Sequence, residues 1–283
     1  PKTPKPRRIS VEIINTSRML RGIWGATSSS SCRGFHSFVS RSGRRHLTSQ
    51  LSKGNNNVHR ILLTGGPCAG KTTILAKLQS HLETCGFRVF CVPEAATLIR
   101  TGGGILDTSK LSWDFQVQMQ TTLLKTQLGL EDTFAEIALN ESKELNTPAV
   151  VLCDRGVLDG SAYGSEELWS QILDEQGFDA GSLMERRYDA VVHMVTAAEG
   201  AEEFYDLSNE ARFENIEEAI ARDHALREAC LGHHNHFMVD NSSSNFQKKI
   251  SKTMNLVKSV IGLPTAKRTF KKFLVEDVHM PDD

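Results

Sequence analysis

Residues 65–73 read Gly-Gly-Pro-Cys-Ala-Gly-Lys-Thr-Thr, an order of residue types that suits phosphate chemistry. Gly65, Gly66, Pro67, Cys68, Ala69, Gly70, Lys71 and Thr72 satisfy the G-x-x-x-x-G-K-[ST] spacing, and Thr73 follows directly. In such a loop the glycines let backbone N–H groups converge on phosphate oxygens. Lys71 then reaches the terminal phosphates, and the Thr72 hydroxyl can ligate Mg2+. Downstream, Glu94 closes the stretch Val92-Pro93-Glu94, and Asp154-Arg155-Gly156 closes an apolar run. An acid or an arginine at such an end could approach a metal, a transferring phosphate or an acceptor hydroxyl.

These groups cooperate only if the backbone brings them to one edge. Ile61-Leu62-Leu63 predicts a buried strand before the loop, and residues 71–85 predict a helix closed by Gly86. Further strands are expected at 87–92, 148–153, 188–195 and 236–240. Helices are expected at 112–144, 208–231 and 244–261, with Gly129 as a break in the first. The strands are apolar throughout rather than alternating, so both of their faces must be covered. The expected architecture is a three-layer α/β domain with a five-stranded parallel sheet, its ligands at the carboxyl ends of the strands.

The net charge of −1 conceals an asymmetry. Residues 1–60 hold twelve Lys/Arg and one acid, Glu12, and the remainder holds twenty-one against thirty-three, leaving the parts at +11 and −12. No basic surface spans the whole chain, so nucleic acid is not an expected partner. The six cysteines form no C-x-x-C pair, which argues against a zinc ribbon or a disulfide framework. No apolar run reaches the roughly 18 residues of a membrane span.

Three domains of organisation follow. Residues 1–57 read as a basic Ser/Arg-rich leader, 58–262 as a nucleotide-binding domain, and 263–283 as a basic tail that could open a further domain. From Met19, a candidate start, to Lys53 there is no acid, as in an organelle transit peptide; an ordinary disordered tail is the alternative. The first reading places the protein in mitochondria or plastids, the second in the cytoplasm.

A guanine-reading N/T-K-x-D does not follow the fourth or fifth strand, which end "HMVTAAEG" and "MVDNSS". Glu94, Phe115-Gln116 and Asp154-Arg155-Gly156 resemble three elements of deoxynucleoside kinases: a general base, a base-reading pair and an acid-Arg triplet. The stretches "ILLTGGPCAGKTT", "VPEAATLIRTGGG", "DRGVLDGSAY", "ARFENIEEAIARDHALREAC" and "HHNHFMVDNSSS" resemble more closely the NadR/TRPL-translocation-defect family of P-loop (AAA-like) domains. That resemblance covers about residues 58–262. It implies a nucleoside-kinase-like fold and either ribosylnicotinamide-type kinase activity or GTP- and phosphoinositide-binding in trafficking. Deoxynucleoside kinases carry an arginine two turns after the Phe-Gln pair, where this chain has Thr122, Leu123 and Leu124.

Each candidate has a plainer use. Glu94 could cap a helix starting at Ala95. Gln116 and Gln120, one turn apart, could read an acceptor or be solvated. Arg212 and Arg222 could be lid arginines or members of a charged surface helix. His233, His234 and His236 suggest a metal cluster, but no further ligand completes it before Asp240. "TGGG" at 101–104 is either a closing loop or a helix stop. The expected function is Mg2+-dependent binding of ATP or GTP with phosphoryl transfer to a small nucleoside-type acceptor. In it Lys71, Glu94, Asp154 and Arg155 act on the phosphates and the proton, and Phe115, Gln116, Gln120, Arg212 and Arg222 hold the acceptor. The alternative is a nucleotide-controlled regulator, trafficking or lipid-linked, with little or no turnover.

Overall fold

The computed structural model describes residues 57–205, 215–242 and 245–265. The expected leader, apart from Asn57, Arg212 and the tail beyond Thr265 lie outside the described residues. Strand β1 (Val58–Thr64) leads through the glycine loop into helix α1 (Lys71–Thr84), and β2 (Arg88–Val92) follows. Helices α2 (Ala95–Thr101) and α3 (Trp113–Leu145) precede β3 (Ala149–Asp154). A 3-10 turn at Asp159–Tyr163, α4 (Glu166–Gln176) and α5 (Ala180–Glu185) then lead to β4 (Ala190–Met194). Helix α6 (Ile216–Glu228), β5 (His236–Val239) and α7 (Phe246–Val260) complete the domain.

All four strand pairings are parallel, in the order β2-β3-β1-β4-β5. Uniformly apolar strands feed two cores. Leu62, Val151 and Cys153 pack on one face with Val117, Leu124 and Ile172. Ile61, Leu63, Val150 and Leu152 pack on the other with Ile74, Leu78, Ile250 and Val257. Burying a side chain such as Leu62, which has no exposure, stabilises the fold by about 1.5–3 kcal/mol.

Three details depart from the sequence expectation. Gly129 does not interrupt α3, which runs 33 residues. A glycine costs only about 1 kcal/mol relative to alanine, and packing of Val117, Leu124, Ala135 and Ala138 outweighs that. The helical pattern at 208–231 is helix only over 216–228 within its described part, where the Asn215–Glu218 capping box fixes the start. Helices α4 and α5 were not foreseen. Their caps, Ser165 accepting from Leu168 N–H and Asp179 accepting from Ser182 N–H, are ordinary start signals.

Candidate phosphate-loop site

The loop between β1 and α1 is shaped by contacts that exclude side chains. Gly65 has φ +135, and a Cβ on it would fall 2.0 Å from the Met194 carbonyl oxygen. Gly70, at φ +85, caps α1, and a Cβ on it would strike the Phe246 ring at 2.5 Å. No acid stands in the first turn of α1, so its N–H groups and the positive end of its dipole face the loop. Thr72 and Thr73 are exposed, while Pro67 and Cys68 are half-buried and Ala69 is buried. Thr196 Oγ donates to the Pro67 carbonyl at 2.5 Å, pinning the loop from the β4 side.

Lys71 is half-buried and its amine donates to the carbonyl oxygens of Gly65 (2.8 Å) and Gly66 (3.0 Å). Desolvation and then the Arg155 charge lower its pKa to about 7, against the pull of Asp154, Glu94 and Asp159. The amine is therefore stored over the loop, in the position a phosphate would draw it from.

Strand order decides which acid stands beside this loop. Since β3 pairs directly with β1, Asp154 lies opposite Leu63 in register, and Arg155 N–H donates to the Leu63 carbonyl at 3.1 Å. Burial raises the Asp154 pKa, Glu94 adds to the rise, and Lys71 and Arg155 oppose it. No described residue donates a hydrogen bond to its carboxylate. An uncommitted carboxylate together with the Thr72 hydroxyl is a hard-oxygen donor set, which fits Mg2+. Among the described residues no group of three His, Cys, Asp or Glu could hold a metal, so the histidines at 233, 234 and 236 form no such cluster.

Arg155 turns sharply at φ +68, outside the usual range for a side-chain-bearing residue. Its guanidinium lies 3.6 Å from Glu94 and 3.8 Å from Asp159, yet Nε and Nη1 are buried without a hydrogen bond. Glu94 occupies the N-cap position of α2 but caps nothing. Its carboxylate accepts from the Thr97 hydroxyl at 2.6 Å, and the first N–H of α2, that of Ala95, goes to Gln127 Oε1 at 3.0 Å. The Gln127 amide nitrogen donates in turn to the Arg155 carbonyl (3.2 Å) and to Glu131 (3.1 Å).

The acceptor-side residues are partly assembled. Phe115 is exposed near the start of α3. Gln116 is half-buried, and its amide donates to the Leu111 carbonyl at 2.9 Å. Gln120 is buried, not solvated, and its Oε1 would lie 3.8 Å from a Cβ on Gly160. Arg222 donates to the Ala162 carbonyl and stacks on the Tyr163 ring at 4.4 Å. That ring also faces Arg155 at 6.0 Å.

A family model described as AAA domain matches residues 60–248, from the third residue of β1 into α7. The chain belongs to the AAA-domain family. No curated protein matches it. The match spans the glycine loop, Glu94, Asp154 and Arg155, and it makes this AAA domain a nucleotide-binding P-loop domain. No described helix of it is long and apolar enough to cross a membrane.

Sequence reading missed Asp159, Tyr163 and Asp223. Asp159 is buried, accepts from both the Thr64 hydroxyl (2.9 Å) and Gly156 N–H (3.3 Å), and so ties the end of β1 to the turn after β3. It and Tyr163 sit inside "DRGVLDGSAY", so the signal for both was at hand. Asp223 sits inside "ARFENIEEAIARDHALREAC", but its own neighbourhood there reads only as a charged helical pattern.

Proposed function

We propose that this AAA domain binds Mg-ATP or Mg-GTP and transfers the terminal phosphoryl group to a small nucleoside-type acceptor. The observation that carries the reading is Glu94: it stands at a helix start without capping it, and its carboxylate faces the Arg155 guanidinium. An acid left uncommitted by the backbone, at the carboxyl edge of a parallel sheet, is placed to accept a hydroxyl proton. Lys71 leaves its carbonyl partners for the terminal phosphates, and Arg155 offers the nitrogens that no hydrogen bond engages to charge developing in transfer. Thr72 and Asp154 would hold Mg2+, which when bound supplies charge neutralisation at the phosphate oxygens. Phe115, Gln116 and Gln120 form the acceptor side, with Arg222 beside Tyr163. The narrower resemblance to the NadR/TRPL-translocation-defect domains is compatible with this acceptor and equally with the second reading below.

The test is a panel of nucleosides and ribosylnicotinamide incubated with Mg-ATP and Mg-GTP, with Glu94→Gln alongside wild type. Turnover should fall about 10²–10⁴-fold in the variant, while nucleotide affinity and melting temperature hold. Wild type that binds Mg-nucleotide yet phosphorylates nothing across the panel would overturn this reading.

One observation favours a second reading, a nucleotide-controlled regulator with a partner or phosphoinositide as its ligand. The Gln116 amide is already engaged by Leu111, and Leu124, in the stretch where the related kinases hold a base with arginine, is buried apolar. A vesicle-binding assay with and without phosphoinositide, read at each nucleotide state, separates the two.

A further inference from the structure

Asp223 is wholly buried on α6, and its carboxylate holds three groups at once. Oδ1 accepts the N–H of Gly66 at 2.6 Å and that of Thr196 at 3.0 Å, and Oδ2 meets His193 Nε2 at 3.0 Å. Burial opposes the charge, but the His193 contact and the two N–H groups outweigh it and hold the carboxyl below its usual range. Facing an anion, Nε2 of His193 is the donor.

The G-x-x-x-x-G-K spacing makes no demand at its second position, yet glycine stands there. A Cβ on Gly66 would lie 2.6 Å from Asp223 Oδ1 and 2.9 Å from Thr196 Cβ. Gly66 is therefore required by Asp223 rather than by a phosphate, and its N–H is committed to that carboxylate.

The preceding residue on the same helix turn serves the other side of the site. Successive helical residues are about 100° apart, so Arg222 and Asp223 address different neighbours. Arg222 reaches the Ala162 carbonyl and the Tyr163 ring, on which Arg155 also lies. One turn of α6 thus touches the phosphate loop with one residue and the Arg155 group with the next.

We propose that Asp223 is a positioning residue that hooks α6 to Gly66, so that filling the phosphate loop sets where Arg222 stands beside Tyr163 and Arg155. It touches no phosphate itself and acts through Gly66 and Arg222. The proposal rests on nucleotide binding by the loop, not on phosphoryl transfer.

Amide hydrogen exchange of the full chain, with and without saturating Mg-ATP or Mg-GTP, tests it. In wild type the nucleotide should slow exchange over residues 71–84 and over 216–228 together, by about threefold or more in each. In Asp223→Ala, which removes the acceptor of both N–H groups, the slowing over 71–84 should persist and that over 216–228 should vanish. Asp223→Ser, too short to reach either N–H, leaves the loop itself unaltered and serves if the first variant does not fold. A merely structural role would loosen α6 equally in both nucleotide states and leave the nucleotide-dependent difference intact; that result overturns the proposal. So does a wild type whose 71–84 segment responds while 216–228 does not, and nucleotide binding then stands. No slowing in either segment would sink the nucleotide reading and this proposal with it.

Discussion

Two arginines at opposite edges of the sheet, both with side chains mostly out of solvent, are treated in opposite ways. Arg187, just before β4, donates to Glu131 at 2.5 Å, to Asp132 at 2.8 Å and to the Leu128 carbonyl at 3.2 Å. Tyr188 adds its hydroxyl to Glu131 at 2.9 Å, and Arg60 answers the same acids from 3.6 and 4.0 Å. Arg155, just after β3, has acids no nearer than 3.6 Å and two nitrogens without hydrogen bonds. The first guanidinium has its partners within the fold. The second keeps two nitrogens that no hydrogen bond engages, and the proposed function turns them to an oxyanion. Arg187 and Arg155 thus differ in how far the fold satisfies their donors, more than in charge.

The widest expected gap between the two edges is in stability. Arg187→Met strands Glu131 and Asp132 without their close partner and should cost about 3–5 kcal/mol in urea unfolding. Arg155→Met removes a charge that the fold pairs only loosely and should change stability by about 1 kcal/mol or less while nearly abolishing turnover. Equal destabilisation by the two would erase the distinction.

Next in size is binding. Lys71→Ala should weaken Mg-nucleotide affinity by about 2–4 kcal/mol in titration calorimetry without loss of fold, since it deletes a charge-assisted contact in a partly enclosed site. Unchanged affinity in a folded variant would contradict the placement of phosphate at the carboxyl edge.

The smallest expected effect is a pH dependence. With the loop empty, burial holds the Lys71 pKa at about 7 against 10.5 for an ordinary lysine amine, so between these values the unfolded chain holds the extra proton. Lys71 alone then makes the empty domain more stable as pH rises through that window. Nucleotide reverses the preference, because phosphate needs the ammonium. Proton uptake on binding should appear at pH 8 and fade by pH 6, with affinity falling by up to about tenfold per pH unit above 7. Calorimetry in buffers of different ionisation enthalpy measures that uptake directly. Uptake that does not change between pH 6 and 8 would show that the amine stays charged in the empty loop.

How much of this was legible depends on how far apart the partners lie. The loop, its strand and its helix occupy one contiguous stretch, and β3 delivers Asp154 by apolar pattern alone, so the parallel sheet and the loop could be read directly. The bonds that complete the site join residues 95 positions apart for Thr64 and Asp159, and 157 apart for Gly66 and Asp223. No local period encodes such a contact. Glu94 shows the same limit: its type and place fitted both a cap and a base, and only the structure shows its carboxylate on the Thr97 hydroxyl with no cap hydrogen bond. Helices α4 and α5 are a different case, since Ser165, Gly177 and Asp179 were visible stops and starts that could have been read.

Gln127 is where the two edges meet. Its oxygen faces an N–H of α2, while its nitrogen faces the Arg155 carbonyl and Glu131, so the amide fits in one orientation only. Turned by half a rotation it would set donor against donor at one end and acceptor against acceptors at the other, and glutamate, though the same shape, has no N–H to give. As descendants of this gene accumulate changes, the residues of each edge can be exchanged for others that suit that edge. Position 127 answers to both at once, and it therefore limits how far the two edges can diverge independently.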